Sequence, residues 1–116
     1  MPLKTNKDLC LYYLEKYAAK DLTAMEDLFS DGIVLRDWKI RVVGKQEALR
    51  ETKKNFEAAA SIEIDVLSTY ENEDTVAAEL KITVDGKEEL FVVDVITFNS
   101  TGKITSIRAY LGRGDS

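Results

Sequence analysis

The 116-residue chain contains no histidine and a single cysteine, Cys10. Ser-His-Asp and Cys-His nucleophilic schemes need an imidazole, and zinc sites built from Cys and His need several such ligands, so both classes are excluded. A lone thiol makes no internal disulfide, and within an apolar helical stretch Cys10 reads as a small buried hydrophobe. An excess of base is lacking too. The chain has 21 acidic against 16 basic residues, for a net charge of −5, whereas nucleic acid and anionic membranes demand a basic footprint. The bases are scattered among acids, apart from Lys53-Lys54 and the Arg36 to Arg41 stretch, as on a solvated surface. No apolar run reaches membrane-spanning length, and Met1-Pro2-Leu3-Lys4-Thr5-Asn6-Lys7-Asp8 carries no apolar signal core. A cytoplasmic, soluble protein is therefore expected, with neither nucleic acid nor membrane as partner. One proline and six glycines leave little to interrupt regular structure, and a 45% hydrophobic composition supplies one core. A single domain over residues 1–116 is expected.

Leu9, Tyr13 and Tyr17 recur at four-residue steps beside Cys10, Leu14 and Ala18, which gives a first helix one broad apolar face. Asp21 has the character of an N-cap opening a short second helix with Leu22, Met25, Leu28 and Phe29 on one stripe, closed by a turn at Asp31-Gly32. Short strands from Ile33 to Trp38 and Ile40 to Val43 follow. A third helix then runs from Lys45 to Ala60. From Ile62 the period changes to two, and the turn signals Glu71-Asn72-Glu73-Asp74, Asp85-Gly86 and Asn99-Ser100-Thr101-Gly102 divide the rest into an antiparallel meander of four long strands. Helices first and hairpins after describe an α+β domain, in which three helices of the N-terminal half pack in the concave face of a strongly curved, mostly antiparallel sheet.

Asp94 interrupts the apolar run Leu90-Phe91-Val92-Val93-Asp94-Val95-Ile96-Thr97-Phe98. A carboxylate there must be neutralised, bound by donors or opened to a pocket. Taken alone, it reads equally as a bonded core acid or as a site acid. Asp37 continues the row of Ile33 and Leu35 but ends a strand, where a solvated terminus is the plain interpretation; for Tyr13 it is core packing. Both faces of the Asp94 strand are apolar. Helices cover one, and a second copy is expected on the other, giving a homodimer through the outer sheet face. The terminal Arg113-Gly114-Asp115 resembles an integrin-recognition tripeptide but reads as a flexible polar tail.

Ala19-Lys20-Asp21-Leu22, Leu28-Phe29-Ser30-Asp31, Val43-Gly44-Lys45-Gln46-Glu47-Ala48 and Phe98-Asn99-Ser100-Thr101-Gly102-Lys103-Ile104 leading to Arg108-Ala109-Tyr110 together resemble the nuclear transport factor 2-like superfamily. Within it the chain resembles the ketosteroid isomerase and SnoaL-type polyketide cyclase branch. The resemblance implies the conical, cystatin-like roll. It also implies that Tyr13 falls on the tyrosine donating to the substrate oxygen, Asp37 on the proton-shuttling base, and Asp94 on the acid that stays protonated beside the tyrosine. Trp38 stands where those isomerases usually carry proline, and Thr52 and Phe29 stand where some carry further hydroxyls. A cofactor-independent isomerase acting on a small hydrophobic carbonyl compound is expected, with no metal. Leu35, Trp38, Phe56, Val66, Leu80, Val92, Ile107 and Ala109 are expected to line its pocket. A polyketide cyclase-like enzyme and a non-catalytic module binding a small hydrophobic ligand are the alternatives.

Overall fold

In the computed structural model, which describes residues 5–115, the elements are α1 (Asn6–Ala18), α2 (Leu22–Leu28), β1 (Phe29–Arg36), β2 (Arg41–Val43), α3 (Lys45–Ala58), β3 (Ile62–Asn72), β4 (Thr75–Val84), β5 (Glu88–Phe98) and β6 (Ile104–Leu111). Local chemistry sets their ends. Thr5 and Asp8 cap α1 reciprocally, each side chain accepting from the other's backbone N–H, which satisfies donors the helix cannot. Asp21 Oδ1 accepts from Ala24 N at 3.1 Å and opens α2 as the sequence predicts. Asp21→Ala is expected to lower stability by about 1 kcal/mol, read as a lower urea midpoint with an unchanged slope.

The strands form one sheet in the order β2-β1-β6-β5-β4-β3, antiparallel throughout except for the parallel β1–β6 pair. Parallel pairing there follows from connectivity, because β1 precedes the helical crossover while the later strands return by hairpins. The Asp85-Gly86 signal is confirmed. Both residues have positive φ (56° and 69°), and Lys87 N bonds back to Val84 O, as a tight primed hairpin turn requires. Asp85 also reaches away from its own hairpin, its Oδ1 accepting from Ala60 N and Ser61 N and fixing the entry to β3.

One turn expectation fails. Asp31-Gly32 lie inside β1, which begins at Phe29 with no intervening loop because Phe29 is already extended as the cap of α2. From Phe29 to Val34 the strand advances while its partner moves only from Ile104 to Ser106. The exposed Asp31-Gly32 pair is thus accommodated in a bulge, which bends a strand where a turn would end it. Further register shifts at Val66/Ser68 and Thr97/Phe98 bend β3 and β5. The helix expected to reach Ala60 stops at Ala58.

α1 packs on β3 and β4, and α3 on β1 and β2. This is the expected α+β roll. The core of Cys10, Leu14, Met25, Phe29, Ile33, Ile96 and Ile104 lies between them, every one of these side chains at most 3% exposed. The tail departs from the expected flexible segment. Gly112 N donates to Phe91 O at 2.7 Å, and a Cβ on Gly114 would come within 2.7 Å of the Phe91 ring, so glycine permits the close approach.

Candidate active site

Asp94 sits in mid-β5, opposite Ala78 of β4 and Ala109 of β6. Flanking alanines leave space above the carboxyl that larger neighbours would fill. Tyr13 of α1 comes down on this face. Both residues are buried, at 8% and 4% exposure, yet neither oxygen-bearing group bonds to a protein group among the described residues. No described buried polar atom is both sealed and partnerless. Their oxygens therefore open into a cavity of about 460 Å³ that both residues line.

Burial, reinforced by the Asp37 carboxylate, pushes Asp94 up to about 7. The apolar strand thus holds the proton on an acid that water would ionise. Tyr13 is pushed well above 10, first by burial and then by Asp94, Tyr17 and Cys10. At neutral pH the phenol is a neutral donor. Cys10, sealed in the core, is pushed up to about 12 by burial, Asp94 and Glu71, consistent with an inert thiol.

Asp37 follows β1 in the loop to β2. Its Oδ1 accepts from Lys39 N at 2.7 Å and Ile40 N at 2.9 Å, while its own N–H donates to Ile40 O. That turn fixes the carboxylate at the cavity wall, with Oδ2 free of hydrogen bonds from the described residues. Leu35, Ile64, Ile82, Leu90, Val92 and Ile107 supply apolar wall. A neutral phenol, a carboxyl that keeps its proton up to about neutral pH, a second carboxyl and a partly apolar wall are a set suited to moving protons next to a carbonyl. Among the described residues no three His, Cys, Asp or Glu side chains are grouped to hold a metal ion, and no helix is long and apolar enough to cross a membrane.

A family model described as a SnoaL-like domain matches residues 11–107. The chain belongs to the SnoaL-like domain family. Several solved structures share its fold. An NTF2-like protein of unknown function from Cytophaga hutchinsonii ATCC 33406 is 16% identical with a TM-score of 0.80, covering 97% of this chain and 95% of that one. SalBIII, an epoxide hydrolase/cyclase-like enzyme of pyran ring formation in the polyether salinomycin, is 21% identical with a TM-score of 0.80, covering 92% and 90%. A ketosteroid isomerase candidate from Kribbella flavida DSM 17836 is 14% identical with a TM-score of 0.81, covering 96% and 80%. At such identities the likeness carries the fold alone. No curated protein sequence matches the chain.

In this SnoaL-like domain, Tyr13, Asp37, Asp94, Leu35, Trp38, Val92, Ile107 and Ala109 all line the one cavity. Three other expected lining residues lie outside it. Phe56 is buried behind the wall, its ring edge-on to Tyr17 at 4.9 Å. Leu80 is sealed in the core at 1% exposure. Val66 lies on the edge strand beside the bulge and is 38% exposed. Helical spacing placed Phe56, and alternation Val66 and Leu80, on inward rows, but α1 covers one part of the sheet and the bulge ends the row in another.

Tyr17 and Asn55, which sequence reasoning left out of the site, line the cavity as well. Asn55 Nδ2 donates to Tyr17 Oη at 3.2 Å. Burial raises the Tyr17 phenol, the Asn55 bond pulls it back, and Asp94 and Asp37 raise it again. The available signal was helical period: Tyr17 is one turn beyond Tyr13, and Asn55 three residues beyond Thr52.

Proposed function

We propose that this SnoaL-like domain is a cofactor-independent isomerase that shifts a double bond into conjugation with the carbonyl of a small hydrophobic ketone. The observation that carries this is Asp94: a buried carboxyl with no hydrogen-bond partner among the described residues, its proton held up to about pH 7 beside Tyr13, and opening into the cavity that Asp37 also lines. Asp37 takes a proton from the carbon between the carbonyl and the double bond. The electron pair moves onto the carbonyl oxygen, giving a dienolate that Tyr13 O–H and protonated Asp94 hold by hydrogen bonds. Asp37 then returns the proton at the far end of the dienolate, and the conjugated ketone leaves. The balance needs no oxidant, reductant or second substrate.

The fold is shared with a ketosteroid isomerase candidate and with an epoxide hydrolase/cyclase-like enzyme, while the acid–base reading rests on Tyr13, Asp37 and Asp94 themselves. One observation favours the binding-module alternative. Two N–H donors already occupy Asp37 Oδ1 and hold the loop turn, a structural duty that accounts for an acid at this position without any catalytic one.

3-Cyclohexen-1-one tests the choice through the absorbance of its conjugated product. The wild-type chain is expected to convert it above the buffer rate, and Tyr13→Phe to lower kcat about 10²- to 10³-fold. A ketone that binds without conversion leaves the binding module as the correct description.

A further inference from the structure

Besides Asp94, Tyr13 and Asp37, the cavity wall carries a hydrogen-bonded polar pair, Tyr17 and Asn55. Tyr17 accepts from Asn55 Nδ2, so its own O–H is available as a donor; among the described residues it has no protein acceptor. Asn55 Oδ1 likewise has no protein donor. Side by side on the wall, the pair therefore presents one donor and one acceptor. That complements a hydroxyl group, which both accepts and donates, better than it complements an ether or a ketone. The pair is also held in place. The Tyr17 ring packs edge-on against Phe56 at 4.9 Å and tilted against Tyr13 at 5.8 Å, leaving its hydroxyl little freedom to lose on binding.

We propose that Tyr17 and Asn55 form a second anchor, specific for a hydroxyl group on the substrate, so that the compound turned over is a hydroxylated cyclic ketone. The inference rests on the isomerase reading for the carbonyl end only. Tyr17 follows Tyr13 by one helical turn, which separates the two anchors by on the order of 6 Å. A two-ring skeleton carrying its carbonyl on one ring and its hydroxyl on the other spans that distance and fits the apolar wall between them. Asn55 is exposed and Tyr17 half-buried, so the hydroxyl lies toward the rim and the ketone toward the buried end. Such polarity dictates the orientation in which the substrate enters.

Trp38, the only tryptophan in the chain, lines the cavity at 42% exposure and reports binding through its fluorescence. The probes are trans-2-decalone and its 5-, 6- and 7-hydroxy derivatives, titrated into wild type, Tyr17→Phe and Asn55→Leu. Tyr17→Phe keeps the ring packing, and Asn55→Leu changes an exposed helix position, so both variants are expected to fold. In wild type the best hydroxylated derivative is expected to bind about tenfold tighter than decalone, as one donor and one acceptor contact supply. In both variants that ratio is expected to fall below about threefold. A wild-type ratio below about threefold for every derivative, or a ratio that persists in either variant, overturns the anchor. The carbonyl end is read separately: decalone affinity falls in Tyr13→Phe if Tyr13 and Asp94 hold the ketone. A parent ketone that fails to bind counts against the isomerase reading alone. A hydroxylated derivative that then binds still supports the anchor, and one that does not overturns it.

Discussion

Asp37→Asn is expected to lower the rate of 3-cyclohexen-1-one isomerisation by about 10²- to 10⁴-fold, the usual worth of a positioned general base. Asparagine is the informative replacement because of the turn that holds Asp37. Its amide oxygen accepts the same two bonds from Lys39 N and Ile40 N that Asp37 Oδ1 accepts, so the loop keeps its shape while the proton acceptor is lost. Alanine would remove both, and a lower rate would then mix lost chemistry with a displaced Trp38. Binding of a saturated ketone, followed by Trp38 fluorescence, is expected to survive in Asp37→Asn because the donors Tyr13 and Asp94 are untouched. An unaltered isomerisation rate would remove Asp37 from the mechanism.

Asp94→Asn is expected to make the protein more stable above neutral pH and to flatten its stability profile between pH 4 and 8. The folded chain holds the Asp94 carboxyl at about 7, against 3.8 for the ordinary group. A carboxyl whose folded pKa lies above its unfolded value favours folding when protonated. Its contribution is complete below about pH 4 and is lost as the pH rises through 7. Three pKa units correspond to about 4 kcal/mol across that window, an upper figure once the site relaxes or admits water. Asparagine has the shape of the protonated acid and does not ionise, so the difference between variant and wild type grows from pH 4 to pH 8. Urea unfolding at both values measures it, the other titrating groups being common to the two proteins. Parallel profiles, or a carbon NMR titration of Asp94 with a midpoint near 4, would contradict the neutral-donor assignment. The amide N–H still donates into the cavity, so activity is expected to fall less in Asp94→Asn than in Asp94→Leu.

Much of the fold was legible because it rests on local chemistry. The Asp21 cap, the Asp85-Gly86 hairpin and the change of period at Ile62 each act over a few residues, and each is where the sequence put it. Asp31-Gly32 misled because the same residues serve a turn or a bulge; the choice depends on whether a partner strand continues, and β6 lies some seventy residues away. The cavity residues divide in a similar way. Alternation along β1, β5 and β6 put Leu35, Val92, Ile107 and Ala109 on the inward row, and they line the cavity. Leu80 obeys the same alternation yet ends in the packed core, since period distinguishes faces of a sheet but not the covered part of a face from its open part.

By itself the sequence excluded imidazole and paired-thiol chemistry, because it provides no histidine and one cysteine. It also marked Asp94 as the costly residue, through the apolar run around it. Only the tertiary structure decided what that cost produces. The alanines opposite Asp94 belong to other strands and Tyr13 to a distant helix, and desolvation depends on how all of them close around the carboxyl. Helical period could place Tyr17 and Asn55 each on the cavity side of its own helix, but that the two side chains meet across two helices was decided by the tertiary structure. Period records which way a side chain points along its own element, while a pKa and a donor–acceptor pair depend on what the neighbouring elements bring to it.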